Sequence, residues 1–341
     1  NVLGNLHALE AARAAGAKRF VFASTLYVYS ESGSFYRASK QAAERFVETY
    51  QERYGLDYTI LRYGSLYGRR ADRRNGIHRL LQQALETRRI HYSGSGDANQ
   101  RAVGSAMAAL HRRQPADLVI MAGDNIYNDG DIRKVEQAFV VPYRELLQAG
   151  VPFHAVLGNH DIRTDNGNDQ LAYPGFGMKG RWYRLRRGPV EFFMIDTNVN
   201  APWQHQLPWL RSALADSRAQ WKVVVGHHPI RSSGFYGDDP EAIARLSPHF
   251  QRHGVQLFIN GHEHNYERSL PLDGTTYLVV GNGGAALRPV IPGPRSARAV
   301  STYGFASLRA DRRRLSINAW DTAGRRLDQA ELNLDGSLAS S

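Results

Sequence analysis

Four short phrases carry the residues best suited to chemistry: "GDNIY" at 123–127, "GNHD" at 158–161, "GHHP" at 226–229 and "GHEHNYER" at 261–268. Each follows an apolar run, "ADLVIMA", "PFHAVL", "WKVVV" or "VQLFIN". Each therefore reads as a buried strand that hands His, Asp or Asn to a loop at its C-terminal end, where α/β sites lie. The glycines let the backbone turn sharply so that the side chains converge. Any one phrase alone is an ordinary turn or a capped strand end; four together are hard to obtain by packing. Their oxygen and nitrogen donors suit Fe, Zn or Mn. Two such ions ~3.5–4 Å apart clamp a phosphate ester and bring the pKa of a bound water towards ~7. Asp124 is the natural bridging carboxylate and Asn159 a neutral oxygen ligand, with His227, His262 and His264 as imidazole ligands. His262 and His264 alternate if the backbone is extended, one for each ion. His160 is left to protonate a leaving alkoxide, with Asp161 placed to orient it.

A second constellation lies upstream. "FYRASK" sets Tyr36 and Lys40 four apart, on one face of a helix. "ASTLYVY" sets Thr25 at the end of a strand. An ammonium beside a phenol lowers the phenol's pKa and lets it shuttle a proton to a sugar oxygen, which the Thr hydroxyl would orient.

The elements that must position these groups follow from pattern. Over residues 1–90 helix and strand alternate. Leu3, Leu6, Leu9 and Ala12 share helical spacing with Gly16 as the stop. "RFVFAST" and "DYTILRY" read as buried parallel strands. "SKQAAERFVETYQERYG" and "NGIHRLLQQALETRR" read as helices. This is the grammar of a doubly wound sheet. From Asn99, "NQRAVGSAMAALHRR" places Val103, Ala106, Met107 and Leu110 on one helix face, and the four strand-and-cluster units follow.

Composition bounds the rest. The chain has 341 residues, 42% of them apolar, enough for two domains with real cores. It contains no cysteine, which excludes disulfides, thiolate metal sites and a thiol nucleophile. The net charge is +11, yet 38 of the 43 basic residues are Arg and they are scattered. Solvated surface charge is the expectation, with neither nucleic acid nor membrane as partner. No segment offers the ~20 apolar residues of a span. No secretory core precedes the first helix, so a cytoplasmic location is expected of the chain as it stands.

The upstream residues resemble an extended short-chain dehydrogenase of the NAD-dependent nucleotide-sugar epimerase and dehydratase type. "NVLGNLHALEAARAAGAKRFVFASTLYVY", "YRASKQAAE" and "ILRYGSLYGRR" carry the likeness over residues 1–97. The resemblance implies Thr25, Tyr36 and Lys40 as its catalytic trio. It also requires a Gly-rich turn for the dinucleotide, and no G-x-x-G-x-x-G occurs, so NAD binding and epimerase activity are not expected.

Residues 93–334 resemble the calcineurin-like metallophosphoesterases, most closely their purple-acid-phosphatase branch. The four phrases carry the likeness, supported by "FFMIDTN", "HQLPWLRSAL" and "YLVVGNGGAALRP". The resemblance implies two packed mixed sheets flanked by helices, and hydrolysis of phosphomonoesters on phosphorylated small molecules. It implies a first metal on Asp124, Tyr127 and His264 and a second on Asp124, Asn159, His227 and His262. His160 would be the general acid, with His228 behind the ligands. Iron with zinc, manganese or a second iron is the implied pair. For the parent phosphatase the resemblance implies a periplasmic or secreted location.

The two resemblances meet in "RRIHYSGSGDANQRAVG", residues 88–104. The family's first strand ends in Asp-x-Gly, whose Asp ligates the first metal. In this register that Asp position holds Tyr92 and the preceding Gly position holds His91. A phenol of pKa ~10 ligates poorly unless a ferric ion takes its proton. "RIHYS" alternates and is read as a replacement for that strand, so His91 would point to the face opposite Tyr92, and Asp97 in the following loop is the remaining candidate. The expectation is an α/β chain in two parts. Residues 1–92 are an incomplete Rossmann-type fragment. Residues 93–335 are an αββα phosphoesterase sandwich, and residues 336–341 are a frayed tail. Two outcomes stay open: a weakened or single-metal phosphoesterase, and an inactive fusion product. Oligomeric state is left unspecified.

Overall fold

Leu6, Leu9 and Ala12 fall on the inner side of helix α1 (Val2–Ala14), which stops at Gly16 with φ +63°. Helix α2 (Ser34–Tyr54) lays Ala43, Val47 and Tyr50 beside them, and it stops at Gly55 with φ +67°. Both helices cover one face of two parallel strands, β1 (Arg19–Thr25) and β2 (Asp57–Tyr63), through Phe22, Leu56 and Ile60. The strands were expected to be buried on both faces. Instead β1 alternates in burial, and Val21 and Leu61 are exposed. Glu44 accepts both forks of Arg62 across α2 and β2 at 2.8 and 3.0 Å.

The computed structural model describes residues 2–29, 34–63 and 97–339. The chain divides into two compact units, Asn1–Tyr92 and Ser93–Ser341. The helix expected in "NGIHRLLQQALETRR", the strand expected in "RIHYS", and His91, Tyr92 and the Asp97 side chain lie outside the described residues.

The second unit is layered. Its large mixed sheet has seven strands in the order β11 (Ser296–Val300), β9 (Tyr266–Ser269), β10 (Thr276–Val280), β8 (Leu257–Asn260), β7 (Trp221–Val225), β6 (Val190–Met194), β5 (Tyr183–Arg187). Strands β6, β7, β8 and β10 run parallel, and β5, β9 and β11 join antiparallel. Side chains alternate across a strand, so each central strand feeds two cores. Phe192, Met194, Val223, Val225, Leu257 and Ile259 face inward. There they meet Leu315, Ile317, Ala319 and Leu332 of an antiparallel sheet, β12 (Gly304–Ala310), β13 (Leu315–Asp321) and β14 (Arg326–Leu332). Leu118 and Ile120 join them from the parallel pair β3 (Val119–Met121) and β4 (Phe153–Ala155).

Phe193, Val224 and Phe258 face the other way, onto Leu210 and Leu214 of α6 (Trp203–Asp216) and Leu246 and Phe250 of α7 (Pro240–His253). Beyond β3 and β4 lie α3 (Asp97–Arg113) and two short helices, α4 (Arg144–Gln148) and α5 (Asn168–Ala172). Ala108 and Leu146 pack there with Phe139, Phe153 and Phe176. Each fully buried Leu or Phe in these cores contributes about 1.5–3 kcal/mol. The result is a helix–sheet–sheet–helix sandwich of the expected class. Residues 336–339, expected to fray, instead fold back. Leu338 pairs with Leu332, and the Ala339 N–H donates to the Glu331 carbonyl at 2.8 Å.

Candidate metal centre

Two parallel pairs of strands, β3 with β4 and β7 with β8, bring their C-terminal ends together. Asp124 follows β3, Asn159 follows β4, His227 follows β7, and His262 and His264 follow β8. Asn159 Oδ1 lies 3.1 Å from His227 Nε2 and 2.9 Å from His262 Nδ1, and those two nitrogens are 3.2 Å apart. Asp124 Oδ2 sits 3.4 Å from His227 Nε2. On the other side of Asp124, the Tyr127 hydroxyl lies 2.8 Å from the same Oδ2 and 3.2 Å from His264 Nε2. His262 thus lies with Asn159 and His227, and His264 with Tyr127, but not by the expected extended route. The backbone between β8 and β9 is a turn, with His262 at φ +62°, and not an extended strand.

The chemistry of this donor set fits cations. His227 Nδ1 lies 2.8 Å from the Ala122 carbonyl, and His264 Nδ1 lies 2.8 Å from the Ala286 carbonyl. Each Nδ1 therefore carries its hydrogen outward, and each Nε2 presents a lone pair inward. That lone pair of His227 faces the Asn159 carbonyl oxygen at 3.1 Å and the Asp124 carboxylate at 3.4 Å, so acceptor faces acceptor. Such contacts repel unless a proton or a metal ion lies between them. On the other side one phenolic hydrogen serves two acceptors. His227, His228 and His262 also bring their ligand nitrogens within 4.8 Å of one another.

The local electrostatics run the same way. Burial opposes ionisation of Asp124, but His227 and the His160 N–H, 2.9 Å from Oδ1, hold the carboxyl well below the usual carboxylate range. Burial pulls His227 down, and Asp124 overrides it so that the imidazole ends up raised. Burial, with His227 and His228 alongside, pushes His262 down to about 2. Burial and His227 push His228 down to about 4. His264 is lowered by burial and by Arg288. Burial and Asp124 push the Tyr127 phenol up, so only a strong Lewis acid would displace its proton.

The backbone is bent to make this possible. Asp124 has φ +54°, and with His262 it adopts the left-handed region that non-glycine residues rarely occupy. Gly158 is required beside it: a Cβ there would stand 2.3 Å from the Asp124 backbone nitrogen and from its Oδ1.

Asp161 does not orient His160, contrary to expectation. It is fully buried and turns inward, where Oδ2 accepts from Gly158 N at 2.8 Å and from Asn125 N and Nδ2 at 3.1 Å. Its Oδ1 accepts from Ile126 N at 3.1 Å and Gln170 Nε2 at 3.0 Å. Burial and the nearby Asp124 raise it to about 6 against the pull of these donors. Asp161 therefore fixes the two loops that carry Asp124 and Asn159. Asp161→Asn turns an acceptor into a donor facing N–H groups. It is expected to cost about 3 kcal/mol in urea denaturation, and an unchanged midpoint would contradict this role. His160 instead takes its orientation from the Asn128 carbonyl, 2.6 Å from Nδ1, with Arg163 3.5 Å from Nε2.

Several contributors carried too little signal to be found in the sequence. Thr197 Oγ1 accepts from the His227 and His228 N–H groups and contacts His228 Nδ1 at 2.9 Å. Arg288 donates to the His262 carbonyl at 3.1 Å. Glu263, between His262 and His264, is fully buried and accepts from the Tyr236 N–H. A backbone carbonyl such as Ala122 leaves no trace in residue type at all.

In the first unit Thr25 closes β1 and is buried, and Tyr36 and Lys40 sit one turn apart on α2. Lys40 Nζ donates to the Ala23 carbonyl at 2.7 Å and lies 5.8 Å from the Tyr36 ring centre.

Comparison with known proteins places this geometry. The model of the NAD-dependent epimerase/dehydratase family matches residues 1–106. The chain is 29% identical over 272 residues to purple acid phosphatase 7 of Arabidopsis thaliana, spanning 70% of this chain and 82% of that one. Its fold is similar to the purple acid phosphatase PPD1 of yellow lupin (Lupinus luteus), with TM-score 0.63 and 20% identity. That match covers 74% of this chain and about half, 53%, of the lupin chain. It is also similar to the protein described as GAP50, the anchor in the inner membrane complex of Plasmodium, with TM-score 0.59 and 22% identity over 69% of this chain and 84% of that one. The calcineurin-like phosphoesterase model matches residues 77–266, more than half the chain, and takes in Asp124, Asn159, His227, His262 and His264. With four strand ends converging as that fold requires, the chain belongs to the calcineurin-like phosphoesterase family.

Proposed function

We propose that this metallophosphoesterase hydrolyses phosphate monoesters of small molecules. One metal would be held by Asp124, Tyr127 and His264, and the other by Asp124, Asn159, His227 and His262. The observation that carries the reading is the convergence of Asn159 Oδ1, His227 Nε2 and His262 Nδ1 within 3.2 Å of one another beside the ionised Asp124. Bound metals, Fe paired with Zn, Mn or Fe, supply Lewis acidity towards phosphate oxygens and activate water. The protein supplies the rest. Asp124 lies between the two groups of ligands and faces both. His227 and His264 are locked by carbonyls in the tautomer that presents Nε2. His160, with Nδ1–H committed to Asn128, offers Nε2 to the oxygen of the departing alcohol. His228, tied to Thr197, stands beside His227 and His262 at the edge of the centre.

The upstream unit is read as part of an epimerase/dehydratase-type fold, joined to the phosphoesterase through "SGSGD". The two family models overlap over residues 77–106, which supports a junction there. The join leaves Tyr92 where the family's first Asp ligand stands, so activity is expected to be weak. Metal content of the purified chain, with hydrolysis of an aryl phosphate under added Fe, Mn and Zn, tests the proposal. Bound metal with turnover is the expected result. Failure to bind any of these ions would overturn it, and metal without turnover would favour the inactive fusion.

A further inference from the structure

The loop after β7 presents two aromatic rings beside the metal centre. Tyr236 lies tilted against the His262 ring, with centres 4.4 Å apart and planes at 32°. The Arg288 guanidinium covers Tyr236 at 5.0 Å. Phe235 meets Tyr236 edge-on at 5.2 Å and 85°, and it is 78% exposed. A single exposed Phe is ordinary on a protein surface. This one differs because its backbone is held. Glu263, wholly buried, takes the Tyr236 N–H and packs against Gly234, where a Cβ would stand 2.6 Å from its carboxyl carbon. Glu267, also buried, takes the Ser233 N–H at 2.7 Å and the Ser232 hydroxyl at 3.1 Å. Asp238 takes the Ser232 N–H at 3.2 Å and pairs with Arg295 at 2.6 Å. Three carboxylates thus fix a short segment whose outermost side chain is apolar and faces water.

We infer that Phe235 and Tyr236 form an aromatic ledge that receives the ester group of the substrate, selecting phosphomonoesters with a planar aromatic ring near the phosphate. The inference rests on the phosphomonoesterase reading and deepens it. A ring in series with Tyr236 and Phe235 gains offset or edge contact, and it covers apolar surface that water otherwise wets. Phe235 is a specificity-determining residue here and takes no part in bond breaking.

The test compares benzyl phosphate with ethyl phosphate, whose leaving groups are both simple alcohols. The full metal-loaded chain is expected to favour the benzyl ester in kcat/KM. Phe235→Ala should lower the benzyl-to-ethyl ratio of kcat/KM about three- to tenfold, chiefly through KM for benzyl phosphate. Phe235→Trp should keep the preference. A benzyl-to-ethyl ratio identical in parent and Phe235→Ala would overturn the ledge and leave the phosphatase reading standing. Turnover of neither ester would overturn the phosphatase reading. The ledge is then decided by calorimetry with benzylphosphonate and ethylphosphonate, which are not hydrolysed. Tighter binding of the benzyl compound, lost in Phe235→Ala, supports it. Equal binding or none overturns it.

Discussion

Asp124→Asn is expected to abolish hydrolysis, with kcat/KM falling about a thousandfold or more, and to remove at least one metal from the protein. The substitution keeps the shape. Asn is tolerated at positive φ, which this position requires, and its carbonyl oxygen can still accept the His160 N–H that Oδ1 now takes at 2.9 Å. What disappears is the negative charge that His227 and Tyr127 face from either side. His227, raised by that charge, should then titrate lower. Elemental analysis, circular dichroism and aryl phosphate turnover on parent and variant separate the outcomes. A folded Asp124→Asn protein that retains two metals and full turnover would remove Asp124 from the centre.

Tyr92→Asp is expected to act in the opposite direction, raising turnover by about a hundredfold and bringing metal content towards two per chain. The argument is one of register. In the family's order, the ligand that precedes "GDNIY" is a carboxylate, and counting back from Gly94 puts Tyr92 in its place. Among the described residues, the side that would hold the first metal offers Asp124, Tyr127 and His264. A carboxylate added there supplies charge that a neutral phenol does not. Metal titration and steady-state kinetics on the variant read the effect. No gain in either would mean that the register is wrong or that another group already fills the position.

Much of this molecule was legible because the signals are repeated. A buried strand, then Gly, then His, Asp or Asn, occurs four times, and the four strand ends meet in space as the pattern demands. Helix stops at Gly16 and Gly55 were equally plain, since each residue takes a positive φ. The errors share a cause. Asp161 sits beside His160 in sequence, and adjacency suggested partnership. In the fold its carboxylate satisfies buried N–H groups of two loops, a demand that no local pattern displays. The route of His262 and His264 was misjudged for a related reason. An apolar run predicts the strand but not the residue at which it ends, and "GHEH" lies past that point. The strands β1 and β2 read as buried because they are apolar, yet apolar composition does not specify what covers the second face.

The anchoring of the two histidines by carbonyls of Ala122 and Ala286 has a consequence for how such a site ages. A side chain that orients a ligand can be lost in one codon change. A main-chain oxygen cannot, because every amino acid carries it. The orientation of His227 and His264 is therefore a property of where strands end, and it persists through drift that leaves the sheet intact. A lineage whose first ligand has been lost keeps most of its catalytic frame for as long as it keeps its fold. The distance back to full function is then counted in single residues.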